Sequence, residues 1–320
     1  MSVLIETPST GALSTDSDAH IPIREVSRVT GVNSVTLRAW ERRYGLLKPL
    51  RTPKGHRLYR RADIERIQTI QSWLARGVSV GKLRDLLGQA AWAGQGETPG
   101  QAADWRELID QWLGDLRQLR RAKLKGRLRD QSALYPLEAL TDGLFMPLLY
   151  QHLIDGAYDI SAQRVALQQV LREHAHGLLL RQRQERDESS RLLFIDLQSG
   201  RAGPLAAMLA GTLTLHGYSV DFSERLTRDE CIYTLAQRPC RGLLLYGDQH
   251  EADSPHYVAH LAEHLSVPVM FAGQLTGLYR SQLPESCQLL GQTHREVVAA
   301  LRTQWPLPNV PVTTKEITKP

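Results

Sequence analysis

The chain has 320 residues, of which 42% are hydrophobic, and a formal net charge of +5. This length exceeds what one ordinary core needs and indicates two or three domains. No run approaches the roughly 20 apolar residues that a bilayer-spanning helix requires. The first 20 residues are Ser/Thr-rich and acidic, unlike a signal peptide. We therefore expect a soluble, cytoplasmic protein with no membrane partner.

The positive charge is concentrated in one segment. Residues 21–90 contain 15 Lys or Arg against 5 Asp or Glu, whereas residues 1–20 carry a net charge of −3. A basic segment in an otherwise mildly acidic chain is typical of phosphate-backbone binding, because neutralised phosphates release their counterions. Residues 1–19 lack helical or strand periodicity, so we predict a flexible leader there.

Two short helices and a hairpin are predicted within residues 20–90. Ile23, Val26 and Val29 recur at helical spacing, and Gly31 ends that run. A second helix is predicted from residue 33 or 34 to residue 44, where a glycine follows. Two short helices across a tight turn form a helix-turn-helix. The turn sequence Pro-Lys-Gly further on, between basic flanks, predicts a β-hairpin wing.

The second predicted helix is amphipathic. Leu37, Trp40 and Tyr44 share one face at about 100° per residue and are predicted to be core. The opposite face can enter a DNA major groove, where arginines hydrogen-bond guanine edges or phosphates and small side chains meet thymine methyls. That face consists of Val35, Arg38, Ala39 and Arg42.

The stretch VTLRAWERRYGLLKPLRTPKGHRLYRRADIERI resembles the winged-helix DNA-binding domain of the MerR family of bacterial transcription regulators. The resemblance covers residues 20–90. It implies double-stranded promoter DNA as the partner, RNA polymerase reached indirectly, a homodimer or larger homo-oligomer, and a nucleoid-associated location. The predicted DNA-binding residues are Val35, Thr36, Arg38, Ala39, Arg42, Arg43, Arg51, Lys54, His56, Arg57 and Tyr59.

Two further domains are predicted downstream. Residues 91–190 read as a helical bundle with helices over 105–129, 137–149 and 162–186, and its basic stretch RQLRRAKLKGRLR is interpreted as a solvated face. Residues 191–306 alternate short apolar runs with amphipathic helices, which predicts a doubly wound, flavodoxin-like α/β domain with a parallel sheet. Residues 307–320 would form a tail. Ligands of such sheets bind beyond the carboxyl ends of the strands.

The order of winged helix, helical bundle and doubly wound sheet resembles the MerR branch that carries a cobalamin-binding domain, as do PLLYQHLIDGAYDISAQRVAL and HGYSVDF. That branch includes light-sensing repressors and a curli-activating regulator. The residues that hold the cofactor in the branch are replaced by Leu153, Gln163, Arg164 and Ala202, the last at the position of the cobalt-ligating histidine. We therefore expect a cobalamin-binding-like sensor or interaction domain without cobalamin, nearest to the curli-activating type, and an activator.

Two alternatives to this interpretation have sequence support. The C-terminal half, with the basic stretch beside it, would bind an anionic small ligand such as a cyclic dinucleotide and control repression, or would receive a signalling protein. The motif formed by His260, Glu263 and His264 matches the H-x-x-E-H of zinc hydrolases, but no third metal ligand follows it, so no enzyme is expected. The three cysteines lack C-x-x-C spacing and indicate neither a disulfide framework nor a zinc ribbon; they are Cys231, Cys240 and Cys287.

Overall fold

The computed structural model describes most of the chain outside the predicted leader and tail. The described residues are 20–75, 78, 80, 83, 101–154, 157–182, 191–198, 203–251 and 253–306. The predicted leader, the predicted tail and Ala202 lie outside them. Within this part of the chain, no helix is both long and apolar enough to cross a bilayer.

Residues 20–75 form the predicted winged helix. Its elements are β1 (Ile21–Pro22), α1 (Ile23–Thr30), α2 (Ser34–Arg42), β2 (Leu50–Arg51), β3 (Arg57–Tyr59) and α3 (Arg61–Ala75). The strands form an antiparallel sheet with β3 in the centre. The sequence-based prediction did not include β1, because two residues carry no periodicity. The core of this unit contains Val26, Leu37, Trp40, Ile67 and Ile70, all fully buried.

The helical region consists of α4 (Gln101–Leu116), α5 (Arg121–Ser132), α6 (Leu137–Leu140) and α7 (Tyr158–Gln182). The predicted helix over 105–129 is two helices, because Leu119 adopts a left-handed backbone with φ of 50° between them. The predicted helix over 137–149 continues past α6 as two π-helical turns, Thr141–Phe145 and Leu148–His152. Pro147 lies between these turns and has no N–H with which to continue a regular helical hydrogen-bond ladder.

The C-terminal half is built on a parallel sheet of five strands, as predicted. In chain order its elements are β4 (Arg191–Asp196), α8 (Pro204–Leu215), β5 (Ser219–Ser223), α9 (Arg228–Gln237), β6 (Gly242–Tyr246), α10 (Ser254–His264), β7 (Val269–Ala272), α11 (Thr276–Tyr279), β8 (Cys287–Gly291) and α12 (His294–Gln304). The strands pair in the order β5-β4-β6-β7-β8, which is the flavodoxin-like arrangement. The chain reverses direction across the sheet between β4 and β6, so their carboxyl ends mark the crevice where such folds bind ligands. The short helix α11 was not predicted.

Apolar cores cover both faces of this sheet. On one face, Phe194 and Leu244 belong to a core that continues into the helical region through the packing of α7 on α8. On the other face, Ile195 and Leu245 pack with α10 through Val258. Alternate residues of one strand thus point to opposite cores, as the period of two requires. The helical region thus covers one face of the sheet, and it also contacts the winged helix.

Candidate nucleic-acid interface

The exposed face of α2 is the first part of the candidate interface. Asn33 caps the helix, since its side-chain oxygen accepts a hydrogen bond from the backbone N–H of Val35 at 3.0 Å. Val35 is 50% exposed, and Arg38 and Arg42 are exposed. Because α2 is anchored on its other face, these side chains project together from a rigid element, which suits insertion into a major groove. Ala39 lies between them, half-buried.

The hairpin wing is the second part. Lys54 and His56 are exposed at its tip, where Gly55 adopts a φ of 81° that a residue with a side chain rarely takes. The turn is closed by a hydrogen bond from the backbone N–H of Gly55 to the carbonyl of Thr52 at 2.8 Å. The tip therefore presents the side chains of Lys54 and His56 to solvent.

Glu41 ties the wing to the recognition helix. The guanidinium of Arg51 lies 2.6 Å from one carboxylate oxygen of Glu41, and the guanidinium of Arg57 donates to the other. Burial by itself would raise the pKa of Glu41, but the two arginines lower it below its ordinary value. Two cations that were predicted to grip phosphate thus also hold the wing beside α2, and Arg57 is the more enclosed of the pair.

Two of the predicted DNA-binding residues are buried. Thr36 is 1% exposed, and its hydroxyl donates to the carbonyl of Ser132 at 3.4 Å, facing the helical region. Tyr59 is fully buried in the core of the winged helix, and burial raises its pKa to about 12. In this arrangement both side chains are turned away from solvent, which argues against DNA contact through either of them, while contact by the other nine residues stays a prediction.

Some exposed cations were missed by the sequence-based prediction. Arg60 and Arg61 follow the wing directly and are exposed, as is Arg43 after the end of α2, whose contact with DNA stays a prediction. The available signal was the run Arg-Leu-Tyr-Arg-Arg, in which the charged residues flank the two apolar ones. These residues extend the cationic surface from the wing to the start of α3.

Comparison with known proteins agrees with this geometry. Residues 21–90 match the MerR HTH family regulatory protein. The N-terminal part of the chain therefore carries a MerR-type helix-turn-helix domain. The sequence-based resemblance to the MerR family is thereby confirmed for the N-terminal part of the chain.

Three relatives extend beyond the MerR-type domain. The HTH-type transcriptional regulator MlrA of Salmonella typhimurium (strain LT2) is 41% identical over 126 residues, which cover 39% of this chain and 49% of MlrA. The HTH-type transcriptional repressor CarA of Myxococcus xanthus is 29% identical over 188 residues, which cover 58% and 57% of the two chains. The repressor CarH of the same organism is 28% identical over 179 residues, 49% of this chain and 60% of CarH. The chain spans about half the length of the MlrA proteins that it matches.

The recognition helix of the MerR-type domain also packs on the helical region. The indole N–H of Trp40 donates to the carbonyl of Leu134, just after α5, at 2.8 Å. Trp40 is at the same time fully buried in the core of the MerR-type domain. One side chain therefore stabilises α2 within its own domain and fixes it to the next.

The turn before the recognition helix packs on the C-terminal half. The guanidinium of Arg302, on α12, donates to the carbonyls of Val29 and Thr30, the latter at 3.5 Å. Gly31 has a φ of 75° and lies so close to His216 that a Cβ at this position would be 2.0 Å from the imidazole Cε1. Only glycine fits this turn in the docked arrangement, because it satisfies both the backbone and the close approach.

A buried charged cluster supports that turn. Nε2 of His216 lies 3.5 Å from a carboxylate oxygen of Glu138, on α6. Burial alone would raise the pKa of Glu138, but His216 and Arg302 beside it lower the pKa below its ordinary value. Elements of the helical region and of the sheet domain therefore meet beneath the MerR-type domain, at the turn that precedes the recognition helix.

The basic stretch of α5 is paired with acidic side chains. Asp115 lies 2.6 Å from Lys123 and 2.7 Å from Arg127, and Glu173 forms ion pairs with two further cations of the same helix. Burial opposes ionisation of Asp115, yet Lys123 and Arg127 hold its pKa below the ordinary value. Because these cations are partly neutralised inside the helical region, the stretch is a weaker candidate for an anionic ligand than its sequence suggested.

The residues at the cobalamin-signature positions do not fit cobalamin. Leu153 is 1% exposed, and its carbonyl accepts a hydrogen bond from Arg164 at 2.9 Å. Gln163 is buried. Of the described signature positions, Arg164 alone lines the neighbouring crevice, a cavity of about 280 Å³, and no histidine is among the described residues that line it. This volume is below the roughly 300–1,000 Å³ that even drug-sized ligands occupy, and a corrin ring is far larger.

The H-x-x-E-H motif lies on α10, away from the interface. The rings of His260 and His264 stack with their centroids 4.2 Å apart, and Nδ1 of His264 lies 2.8 Å from the carbonyl of His260. Glu263 is exposed on the same helix. The described part of the chain contains no group of three or more His, Cys, Asp or Glu placed to hold a metal ion. Stacked rings do not converge on one point as tetrahedral zinc ligands do.

Proposed function

We propose that the protein is a sequence-specific DNA-binding transcription regulator. The observation that carries the proposal is the exposed α2 face of Val35, Arg38 and Arg42 within a domain that matches the MerR family. The arginines would hydrogen-bond base edges or phosphates in the major groove, and Val35 would contact a thymine methyl. Lys54 and His56 on the wing would contact the neighbouring phosphate backbone.

The regulator is proposed to act as a homodimer or larger homo-oligomer on promoter DNA. A single winged helix buries too little DNA surface for selective occupancy of a genome, and two-fold pairing doubles the contact. RNA polymerase would be affected indirectly, through the promoter. Such a protein would work at the nucleoid in the cytoplasm.

Activation is the proposed direction of control, on the resemblance to the curli-activating type of regulator. Repression is the alternative, and CarA and CarH, which carry the word repressor in their names, support it. A promoter–reporter fusion in cells with and without the protein decides between them. Lower reporter output without the protein supports activation, and higher output supports repression.

The C-terminal half is proposed to be a sensor or a docking domain for a signalling protein. Support comes from its contacts with the turn before α2, through Arg302 and His216. A signal that moves the sheet domain relative to the helical region would change how the recognition helix is held. Crosslinking of the full chain in its native host, followed by identification of the crosslinked proteins, tests the partner.

The DNA-binding proposal is tested by the salt dependence of binding and by one arginine. Sites are first mapped across the genome by crosslinking and sequencing, and binding to one site is then followed by fluorescence anisotropy. We expect affinity to fall steeply with salt, and Arg42→Ala to weaken specific binding by about 1–3 kcal/mol if it reads a base. Arg120→Ala is the matched control, since Arg120 is exposed before α5. Undiminished binding by Arg42→Ala, or a complex insensitive to salt, would refute the proposed interface.

A further inference from the structure

A polar cavity of about 280 Å³ lies at the carboxyl ends of β4 and β6, between the sheet and α7. In a sheet of this strand order, that position is where the chain reverses direction and leaves a crevice. Helix α7 closes the crevice from above, while the residues following the two strands form its floor. The cavity therefore has the placement of a ligand site, although its residues do not suit cobalamin.

One face of α7 supplies the cationic wall of the cavity. Arg164, Gln168 and Arg172 recur every four residues, which places them on one side of the helix, and all three line the cavity. Arg164 uses one guanidinium nitrogen to hold the carbonyl of Leu153 at 2.9 Å, so its orientation is fixed. Two guanidinium groups with an amide between them form a fork that suits a carboxylate or a phosphate.

The floor supplies hydrogen-bonding groups, among them one carboxyl. Gln198 and Asp248, with Tyr150 beside them, line the cavity. Asp248 is half-buried and accepts a hydrogen bond from the backbone N–H of Gln274 at 3.3 Å. Burial raises the pKa of Asp248 to about 6, and its carboxyl acts as a hydrogen-bond acceptor. The floor thus complements a hydroxyl group on the ligand.

The amino end of α8 is already occupied and is not the anion site. Asp196, at the end of β4, accepts hydrogen bonds from the backbone N–H groups of Gly203 and Gln198. Its carboxylate therefore satisfies the amino end of the helix, and Asp196 does not line the cavity. The attraction for an anion comes from the arginines of α7 instead.

We propose that this crevice, in place of cobalamin, binds a small oxyanion such as a phosphate or a short hydroxycarboxylate, held by Arg164, Gln168 and Arg172. At about 280 Å³ the cavity suits a small ligand and is too small to enclose a cyclic dinucleotide. Helix α7 also packs on α5 beside the MerR-type domain, so ligand binding in the crevice would affect that domain. This effect on the MerR-type domain rests on the proposed function, whereas ligand binding itself does not.

Isothermal titration calorimetry on the full chain tests the site, with inorganic phosphate and L-malate as separate probes at constant ionic strength. We expect saturable 1:1 binding of at least one probe and a matching rise in Tm. Binding of phosphate alone would indicate a phosphate ligand, and binding of malate alone would indicate a carboxylate. Binding of both probes would indicate that the site recognises the oxyanion chemistry they share. Absence of saturable binding for both probes would overturn the proposal, as would stoichiometric binding of hydroxocobalamin.

Variants locate the site and separate it from DNA binding. Arg172→Gln and Gln168→Leu are expected to weaken the bound probe at least tenfold, whereas Arg106→Gln, an exposed control on α4, leaves it unchanged. Gln168→Leu retains the side-chain volume, so it keeps the test valid if loss of an arginine disturbs folding. Probe binding that survives both variants would place the site elsewhere. DNA affinity at fixed salt is measured in parallel, so failure of the oxyanion site and failure of DNA binding are distinguishable.

Discussion

Replacement of Gly31 by alanine tests whether the MerR-type domain is docked on the rest of the protein in solution. Two costs are expected. An alanine held at a φ of 75° costs about 1–2 kcal/mol in backbone strain. The new Cβ would also lie 2.0 Å from the imidazole of His216, far inside the 3.5–4.0 Å of a normal carbon–carbon contact. His216 is buried, so relief of the clash requires the two parts to separate.

Gly45 provides a matched control in the same domain. Its φ is 62°, but nothing lies within 4 Å of a Cβ added there, so Gly45→Ala should cost the backbone strain alone. We expect Gly31→Ala to lower the free energy of unfolding by about 2 kcal/mol more than Gly45→Ala, the size of one or two lost buried contacts. Urea denaturation of the full chain, followed by circular dichroism, measures the difference.

A double-mutant cycle assigns the extra cost to the contact with His216. In the His216→Ala background the ring is gone, so Gly31→Ala should cost no more than Gly45→Ala does. The expected coupling free energy is therefore about 2 kcal/mol, well above the roughly 0.5 kcal/mol seen for independent sites. Equal costs for the two glycine substitutions, together with additive behaviour of Gly31→Ala and His216→Ala, would show that the docked arrangement does not persist in solution.

Three further predictions follow from single side chains. Trp40→Phe should destabilise the fold by about 1–3 kcal/mol, because the buried carbonyl it serves loses its donor; thermal unfolding checks this. Asp248→Asn should stabilise the protein at pH 8 by up to about 3 kcal/mol and should not stabilise it at pH 4. The pKa of Asp248 is raised to about 6 in the folded protein, so ionisation of this carboxyl lowers the free energy of unfolding as pH rises from about 4 to 6. Equal effects of the substitution at both pH values would contradict this prediction. Glu41→Gln should lower the free energy of unfolding by about 1 kcal/mol at pH 7. Because the pKa of Glu41 is lowered in the folded protein, this difference between wild type and variant should disappear as pH falls below the ordinary glutamate range. The substitution should also raise non-specific DNA affinity at low salt, since it releases Arg51 and Arg57.

The elements that depend on local periodicity were predictable from the sequence. The two faces of α2, the antiparallel wing and the five parallel strands all follow from repeats of 3.6 or 2 residues and from glycine or proline at the turns. The break at Leu119 was not predictable, because leucine rarely adopts a left-handed backbone and nothing in the sequence marks it.

Contacts between distant parts of the chain escaped prediction. Thr36 was assigned to DNA, but it bonds a carbonyl 96 residues away, and a helical wheel does not show a second buried face created by another domain. The ion pairs of the basic helix were missed for a similar reason, since Glu173 lies about 50 residues further on. In both cases, burial depends on which distant element packs against the residue, and a single sequence does not specify that element.

The docking of the MerR-type domain relies on backbone carbonyls as acceptors. Trp40, Thr36 and Arg302 supply the donors, while Leu134 and Val29 accept through their main chain. A main-chain carbonyl is present whatever the side chain, so these hydrogen bonds constrain the donor positions and not the acceptor positions. Sequence covariation between the MerR-type domain and the surface on which it docks would therefore be weak even if the two are strongly coupled. Substitution of the donor residues is a better test of that coupling than covariation.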